Sequence, residues 1–430
     1  MDNTKGHNNT KKQAVLFVLL DAFRWDYLNQ KDSPTLWSLS HQGIYAKKLI
    51  SSSGFTQRSA IFTGAPSDVH GNYTMYTYDP KTSPFKILKP FVPILRHITP
   101  SLGKFYSFTR RVINQIPKLS TDWAPPAVIP SDILYLISVT EDLSPIYHPK
   151  SLPVESIFDV FTAHNVPYEY MMAPVSGHDE PTMQRMLQAI HPSTQMYFVQ
   201  FSDTDGLVHR DGVKSSTRHS TVQEVDKRVA TLKKRMEEVH HNPWIIVIGD
   251  HGMVDVETYV DIQNPVLEYA KKHSLVHGKD FLMFLDSTLA RFWFFTPNAD
   301  PLKNFVKELL SAQQGLFLTA EYMKARNIPI GDRRFGDLIW KADVPTGIFP
   351  DYFHSYGNQY KAMHGYDSLE ESMKGMAIVS HPSYHQSHVI EEANLIDLAS
   401  TICDIFQLPS PSHNKGSSFF LLSHTTPHHE

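Results

Sequence analysis

The chain has 430 residues, 41% hydrophobic and 12% aromatic, which is enough apolar material for a large buried core and excludes a fibrous or disordered chain. Forty basic and 44 acidic residues leave a formal charge of -4, which excludes a general field for wrapping nucleic acid or coating an anionic membrane. The single cysteine, Cys403, excludes an intrachain disulfide and a CxxC zinc site, leaving histidines and carboxylates as candidate metal ligands.

Taken in chain order, residues 1–13 are polar and are expected to form a disordered tail, as are residues 425–430 with their histidines. The apolar run from Ala14 to Leu20 stops at Asp21 without a small-residue cleavage site, and no window approaches the roughly 18 apolar residues of a membrane span. A soluble, cytoplasmic protein is therefore expected. AVLFVLL before Asp21, YFVQFS before Asp203 and Asp205, and WIIVIG before Asp250 read as buried strands, because continuous Val, Ile and Phe suit parallel strands covered on both faces. Helical tracts at 154–164, 180–190 and 217–239 alternate with them, which predicts a doubly wound, mostly parallel α/β sheet flanked by helices.

Residues 79–150 interrupt this pattern with Pro, Lys, Arg and aromatics and are expected to form a cap inserted between the two parts of a metal-binding core, 14–78 and 151–424. Tyr76, Tyr78, Phe85, Phe105 and Tyr106 would stack on a nucleobase or line a lipid-like cleft, or, as the favoured reading, form the core of the cap. A second irregular stretch, about 274–360, predicts a small antiparallel elaboration.

Side chains that follow separate parallel strands converge at the carboxyl edge of the sheet. Asp21, Asp250 and His251 occupy that edge, and DTDGLVHRDG adds Asp205 and His209 four residues apart. A helical i,i+4 contact would also explain that pair, but Gly206 in the first turn argues against it. His364 stands in KAMHGYDS, and Thr56 precedes a helix expected to begin within SAIF, where a hydroxyl faces backbone donors and a positive dipole end. Phosphoryl transfer with divalent ions requires carboxylate and imidazole ligands and a nucleophile between the ions, and these residues supply both types.

VLLDAF, T…RSAIFTGAPSDVHG, DTDGLVH, IGDHGM and MHGYD, in that order, resemble the type I phosphodiesterase and nucleotide pyrophosphatase family of the alkaline phosphatase superfamily. The likeness runs from about residue 14 to 367, and NLIDLASTICDIFQLPSPSHNKGSS extends it. It implies hydrolysis of phosphodiester or pyrophosphate bonds in a nucleotide or nucleotide-linked small molecule, with no nucleic-acid polymer as partner. It also implies two divalent ions, zinc with manganese as the alternative. One would be held by Asp205, His209 and His364 and the other by Asp21, Thr56, Asp250 and His251. Thr56 would attack phosphorus in line, and water would hydrolyse the phosphothreonine. Asn72 in HGNY loosely resembles the family's oxyanion-contacting asparagine, against the reading of a turn residue, and Arg58 is a candidate phosphate contact or a salt-bridge residue.

The spacing departs from the family at the nucleophile. The usual position, nine before the Thr of the TG pair, is Gly54, whereas Thr56 lies seven before Thr63. Glycine cannot attack, so Thr56 is the expected nucleophile and Ser53 the alternative. GFTQR lacks the Cys of the sulfatase tract, which disfavours a sulfatase. A phosphomonoesterase of the same superfamily and a catalytically silent binding protein on the same fold are the other readings.

Overall fold

The computed structural model describes residues 13–425 except Thr56, 99–103, 114, 116–127, 142–144, 174 and 355–358. A seven-stranded sheet crosses the molecule in the order Ser387–Asn394, Gly43–Ile50, Gly375–Ser380, Trp244–Gly249, Val15–Leu20, Met196–Phe201, Tyr168–Met171. Val15–Leu20 pairs parallel with both Met196–Phe201 and Trp244–Gly249, and only Gly375–Ser380 runs antiparallel to its neighbours.

The unbroken apolar character of Val15–Leu20 has a direct cause, since successive side chains enter two different cores. Val15, Phe17 and Leu19 join a cluster with Phe158 and Phe161 of the helix Ile157–Ala163 and Leu398 and Ile402 of Asp397–Phe406. Leu16, Val18 and Leu20 meet Val222, Val225, Val229, Leu232 and Met236 on the opposite face. Those five residues lie at helical spacing on Ser216–Val239, whose amino end is capped by Ser215 accepting from the Arg218 amide. Each fully buried side chain of this stripe contributes roughly 1.5–3 kcal/mol, so a charge at Val229 would open the layer. Cys403 is buried in the first core.

Residues 281–342 build a second sheet, antiparallel throughout, in the order Phe281–Leu285, Leu289–Phe294, Leu338–Ala342, Gly315–Phe317. Met283, Leu285 and Phe292 pack beneath the helix Asp300–Ser311 through Leu302, Val306 and Leu310. On the other face Leu282, Phe284 and Trp293 are covered by Phe85, Leu88, Leu95, Ile133 and Leu136. The two-stranded ladder Tyr76–Tyr78 with Ile137–Val139 flanks the segment 79–136, and the described residues Phe85, Leu88, Leu95, Ile133 and Leu136 of that segment pack on the second sheet. Arg291, fully buried with Asp286 at 2.7 Å, donates to Thr74 Oγ1 and the Tyr76 carbonyl and so ties that ladder to the sheet. Tyr76 and Phe85 are core residues, Tyr78 is half-buried, and Phe105 is exposed.

Gln13, expected in a tail, is held instead at the edge of the central sheet. Its side-chain oxygen accepts from the Trp244 indole and its carbonyl from Gln195. Thr425 closes the helix Phe419–Thr425, whereas residues 1–12 and 426–430 lie outside the described residues. Among the described residues no helix is long and apolar enough to cross a membrane.

Candidate active site

Leu20 and Gly249 stand opposite each other in the parallel ladder, so Asp21 and Asp250 leave the sheet side by side. A Cβ at Gly249 would lie 1.9 Å from the Phe23 carbonyl oxygen, so the chain passes this closely only because the position is glycine. Asp250 Oδ1 accepts from the amides of Ala22 at 3.2 Å and His251 at 3.0 Å. His251 Nδ1 lies 3.0 Å from the Gly252 carbonyl, which can only accept, so Nδ1 carries the proton and Nε2 faces Asp21 Oδ1 at 3.4 Å. Asp21 Oδ2 is fixed from behind by the Gln200 amide at 2.8 Å.

Asp205 and His209 stand one turn apart on the helix Asp203–Asp211, with Oδ1 to Nε2 at 3.0 Å. Gly206 does not prevent this helix, contrary to the sequence expectation. Asp179 supplies the missing stabilisation by accepting from the amides of Ser202 at 2.7 Å and Asp203 at 3.1 Å. His209 Nδ1 donates to the Ala362 carbonyl at 2.7 Å, again leaving Nε2 free to point inward. Ala362–Met363 pairs with Val254–Asp255 just beyond His251, and this short ladder delivers His364 beside His251. The two rings lie 4.2 Å apart at 27°, and His364 Nε2 is 3.5 Å from Asp205 Oδ1.

Two groups result, Asp205 with His209 and His364, and Asp21 with Asp250 and His251. In each, the ligand atoms lie within 4.8 Å of one another. Burial pushes Asp205 up, but His209, His364 and His251 outweigh it and hold the carboxyl well below its usual range. Burial opposes protonation of His209, yet Asp205 raises it. Burial likewise lowers His251, but Asp250 and Asp21 push it up to about 10. Burial, reinforced by His251, keeps His364 well below the ordinary histidine value. Asp205 Oδ1 is buried without a well-oriented hydrogen bond. Three carboxylates and three imidazoles gathered within reach of one another, with Nδ1 of His209 and of His251 engaged on backbone carbonyls so that Nε2 faces the carboxylates, fit a site for divalent cations.

Thr56 lies outside the described residues, but the loop around it is defined. Gln57 Oε1 accepts from the Ser52 amide at 2.9 Å, and Nε2 donates to the carbonyls of Ser52 at 3.1 Å and Gly54 at 3.0 Å. The helix begins at Gln57, directly after Thr56. Gly54, Phe55 and Gln57 border the same small cavity as His251 and His364. Gly54 has φ +95° and no room for a Cβ, which would lie 1.9 Å from the Tyr73 carbonyl oxygen. Backbone geometry thus accounts for glycine there. Ser53 donates to the Arg326 carbonyl at 2.7 Å and borders a different cavity.

Arg58 and Asn72 meet through Glu141 and Ser59 rather than within either group. Arg58 Nε donates to Glu141 at 3.1 Å, Glu141 accepts from the Ser59 amide and hydroxyl, and Asn72 Nδ2 donates to Ser59 Oγ at 2.8 Å. Three residues that sequence reasoning did not single out lie at or beside the site: Gln200 holds Asp21, Asp179 caps the helix of Asp205, and His354 stands next to His209. Gln200 gave a signal, a polar residue inside a buried strand. His354, bound to Asp351 at 2.8 Å with its ring 6.3 Å from His209, gave none.

The family profile described as type I phosphodiesterase / nucleotide pyrophosphatase matches residues 15–89 and 147–367. Among solved structures, murine ectonucleotide pyrophosphatase / phosphodiesterase 5 aligns over 96% of this chain and 99% of its own, at 17% identity and a TM-score of 0.65. The human protein of that name aligns equally far at 15% identity and 0.65. An inactive threonine-to-alanine form of the murine protein, in complex with AMP, aligns at 17% and 0.64 over the same shares. At these identities the structural likeness concerns the fold, the central sheet flanked by helices. The family match covers well over half of the sequence, and on that ground the chain belongs to the type I phosphodiesterase / nucleotide pyrophosphatase family of hydrolases, within the alkaline phosphatase superfamily.

Proposed function

We propose that the protein cleaves phosphodiester or pyrophosphate bonds of a nucleotide or nucleotide-linked small molecule through a phosphothreonine on Thr56. The observation that supports this reading is the pair of half-buried to buried carboxylate and imidazole groups joined at His251 and His364, beside a cavity bordered by the residues on either side of Thr56. The murine neighbour's complex with AMP and its inactive threonine-to-alanine form support a nucleotide substrate and a threonine nucleophile.

Asp205, His209 and His364 would hold one divalent ion, and Asp21, Asp250 and His251 with Thr56 the other, zinc being the first choice and manganese the alternative. When bound, such ions neutralise phosphate charge and favour ionised oxygen nucleophiles. The chain's own groups orient the reaction. The backbone carbonyls of Ala362 and Gly252 fix the tautomers of His209 and His251, and Gln200 fixes Asp21. Gln57 braces the loop that leads into Thr56 through Ser52 and Gly54, and the Thr56 Oγ1 forms a bond to phosphorus as the bond to the leaving oxygen breaks. The leaving oxygen departs with the electron pair and takes a proton. Water then attacks phosphorus, the bond to Thr56 breaks, and the threonine hydroxyl regains a proton.

Metal analysis combined with rates on chromogenic mono- and diesters for wild type and Thr56→Ala tests the proposal. Zinc-dependent turnover with a diester preference, abolished in Thr56→Ala, is the expected result. A preparation that stays inactive after zinc supplementation would leave a binding protein, a monoester preference would move the substrate class, and undiminished turnover in Thr56→Ala would remove the phosphothreonine.

A further inference from the structure

The chain carries a net charge of -4, yet between residues 80 and 121 it has eight Lys and Arg and no Asp or Glu. Half of the large exposed hydrophobic residues among those described, six of twelve, fall in the same region. They follow helical spacing. Ile87, Phe91 and Ile94 project from the turns Lys86–Phe91 and Val92–Leu95, and Phe105, Phe108 and Val112 from the helix Lys104–Ile113. Four of the six, Ile87, Ile94, Phe105 and Phe108, are 57–64% exposed, more than a packed face would leave open.

The opposite face of each segment is engaged. Leu88, Leu95 and Ile113 share one buried cluster with the second sheet, so both segments are anchored to the body of the protein. Leu95 and Tyr106 wall one cavity of about 230 Å³, which makes the segments neighbours. The outward apolar residues are therefore not left over from an unformed core. Among the described residues, Lys86, Lys89, Lys104 and Arg111 are exposed and no carboxylate pairs with them.

We propose that the outward faces of Lys86–Leu95 and Lys104–Ile113 dock on an anionic lipid bilayer surface, the Phe and Ile side chains entering the headgroup boundary and the cations meeting lipid phosphates and carboxylates. Charge complementarity selects this occupant, because unpaired Lys and Arg around an apolar stripe match an anionic leaflet. The apolar side chains are Phe, Ile and Val, which enter the acyl boundary without a polar group to satisfy, and long lysine stems reach past an inserted ring to the headgroups. Docking does not depend on which phosphoester bond is cleaved.

Co-sedimentation of the full chain with vesicles of phosphatidylcholine, with and without phosphatidylserine, tests this. Binding to the phosphatidylserine vesicles, weakened by added salt, is expected. Lys86→Gln with Lys89→Gln should weaken it about thirtyfold, the effect of two charges near an anionic surface. Phe105→Ser with Phe108→Ser should weaken it on both vesicle types, and turnover of a soluble chromogenic diester should stay unchanged in both variants. Absence of binding at low salt, or binding indifferent to both pairs of substitutions, overturns the proposal. So does concentration-dependent self-association that Phe105→Ser with Phe108→Ser abolishes, which would assign the face to a second copy of the chain.

Discussion

His251 and His364 stack with ring centroids 4.2 Å apart, and that contact joins the two candidate ligand groups into one cluster. Because His364 also faces Asp205 at 3.5 Å, its removal reaches both groups. His364→Ala should lower metal affinity more than about 100-fold, above the usual effect of an outer partner, with turnover restored only at high zinc. Metal content after dialysis and a zinc titration of activity read this directly. Exhaustive chelation of the wild type should produce the same loss, reversed by zinc.

Thr56 and Ser53 are separated by their surroundings. Ser53 Oγ already donates to the Arg326 carbonyl, so Ser53→Ala should cost about 1 kcal/mol of stability and leave kcat near wild type. Thr56→Ala should lower kcat by roughly 10³-fold or more at an unchanged melting temperature. Paired melting curves and steady-state rates separate the two outcomes, and equal rates would reject this assignment.

Gln200 holds Asp21 Oδ2 with its amide and accepts from the Ala173 amide at 3.0 Å. Gln200→Leu keeps the volume in the strand but frees the carboxylate to rotate. A loss of metal affinity of about 10- to 100-fold is expected, measured by competition with a chelator. Unaltered affinity would make Gln200 a packing residue only.

His70 is fully buried, accepts from the Asn72 amide at Nδ1, and leaves Nε2 without a partner. Burial lowers its pKa from 6.5 to about 4. The folded state therefore favours the neutral ring, its contribution being complete above pH 6.5 and lost as pH falls through about 4. On the order of 3 kcal/mol should disappear across that window. Urea midpoints as a function of pH should flatten there in His70→Gln, and an identical slope in the variant would contradict the assignment.

Arg291 and Asp286 form a fully buried pair between the second sheet and the Tyr76–Tyr78 strand. Arg291→Met leaves the Asp286 carboxylate unpaired and should destabilise the fold by about 3–5 kcal/mol. Replacing both, Arg291→Met with Asp286→Leu, should recover part of that loss, and calorimetry of the two variants measures the difference.

The sequence by itself determined the central strands and the residue types gathered at the candidate site. AVLFVLL, YFVQFS and WIIVIG are apolar without alternation because each strand is buried on both faces, and that pattern is local. Asp21, Asp250 and His251 were legible as an edge constellation for the same reason, since strand ends predict convergence without coordinates. Tertiary structure alone decided the rest. The Ala362–Met363 ladder brings His364 across more than a hundred residues to His251, and a capping carboxylate from Asp179 lets the Gly206 segment form a helix. The packing of Phe85, Leu88, Leu95, Ile133 and Leu136 on the second sheet, and the exposed basic and apolar face this leaves, depend on contacts between segments distant in sequence. Neither residue spacing nor composition specifies such contacts, because they depend on which buried surfaces match once the chain has folded.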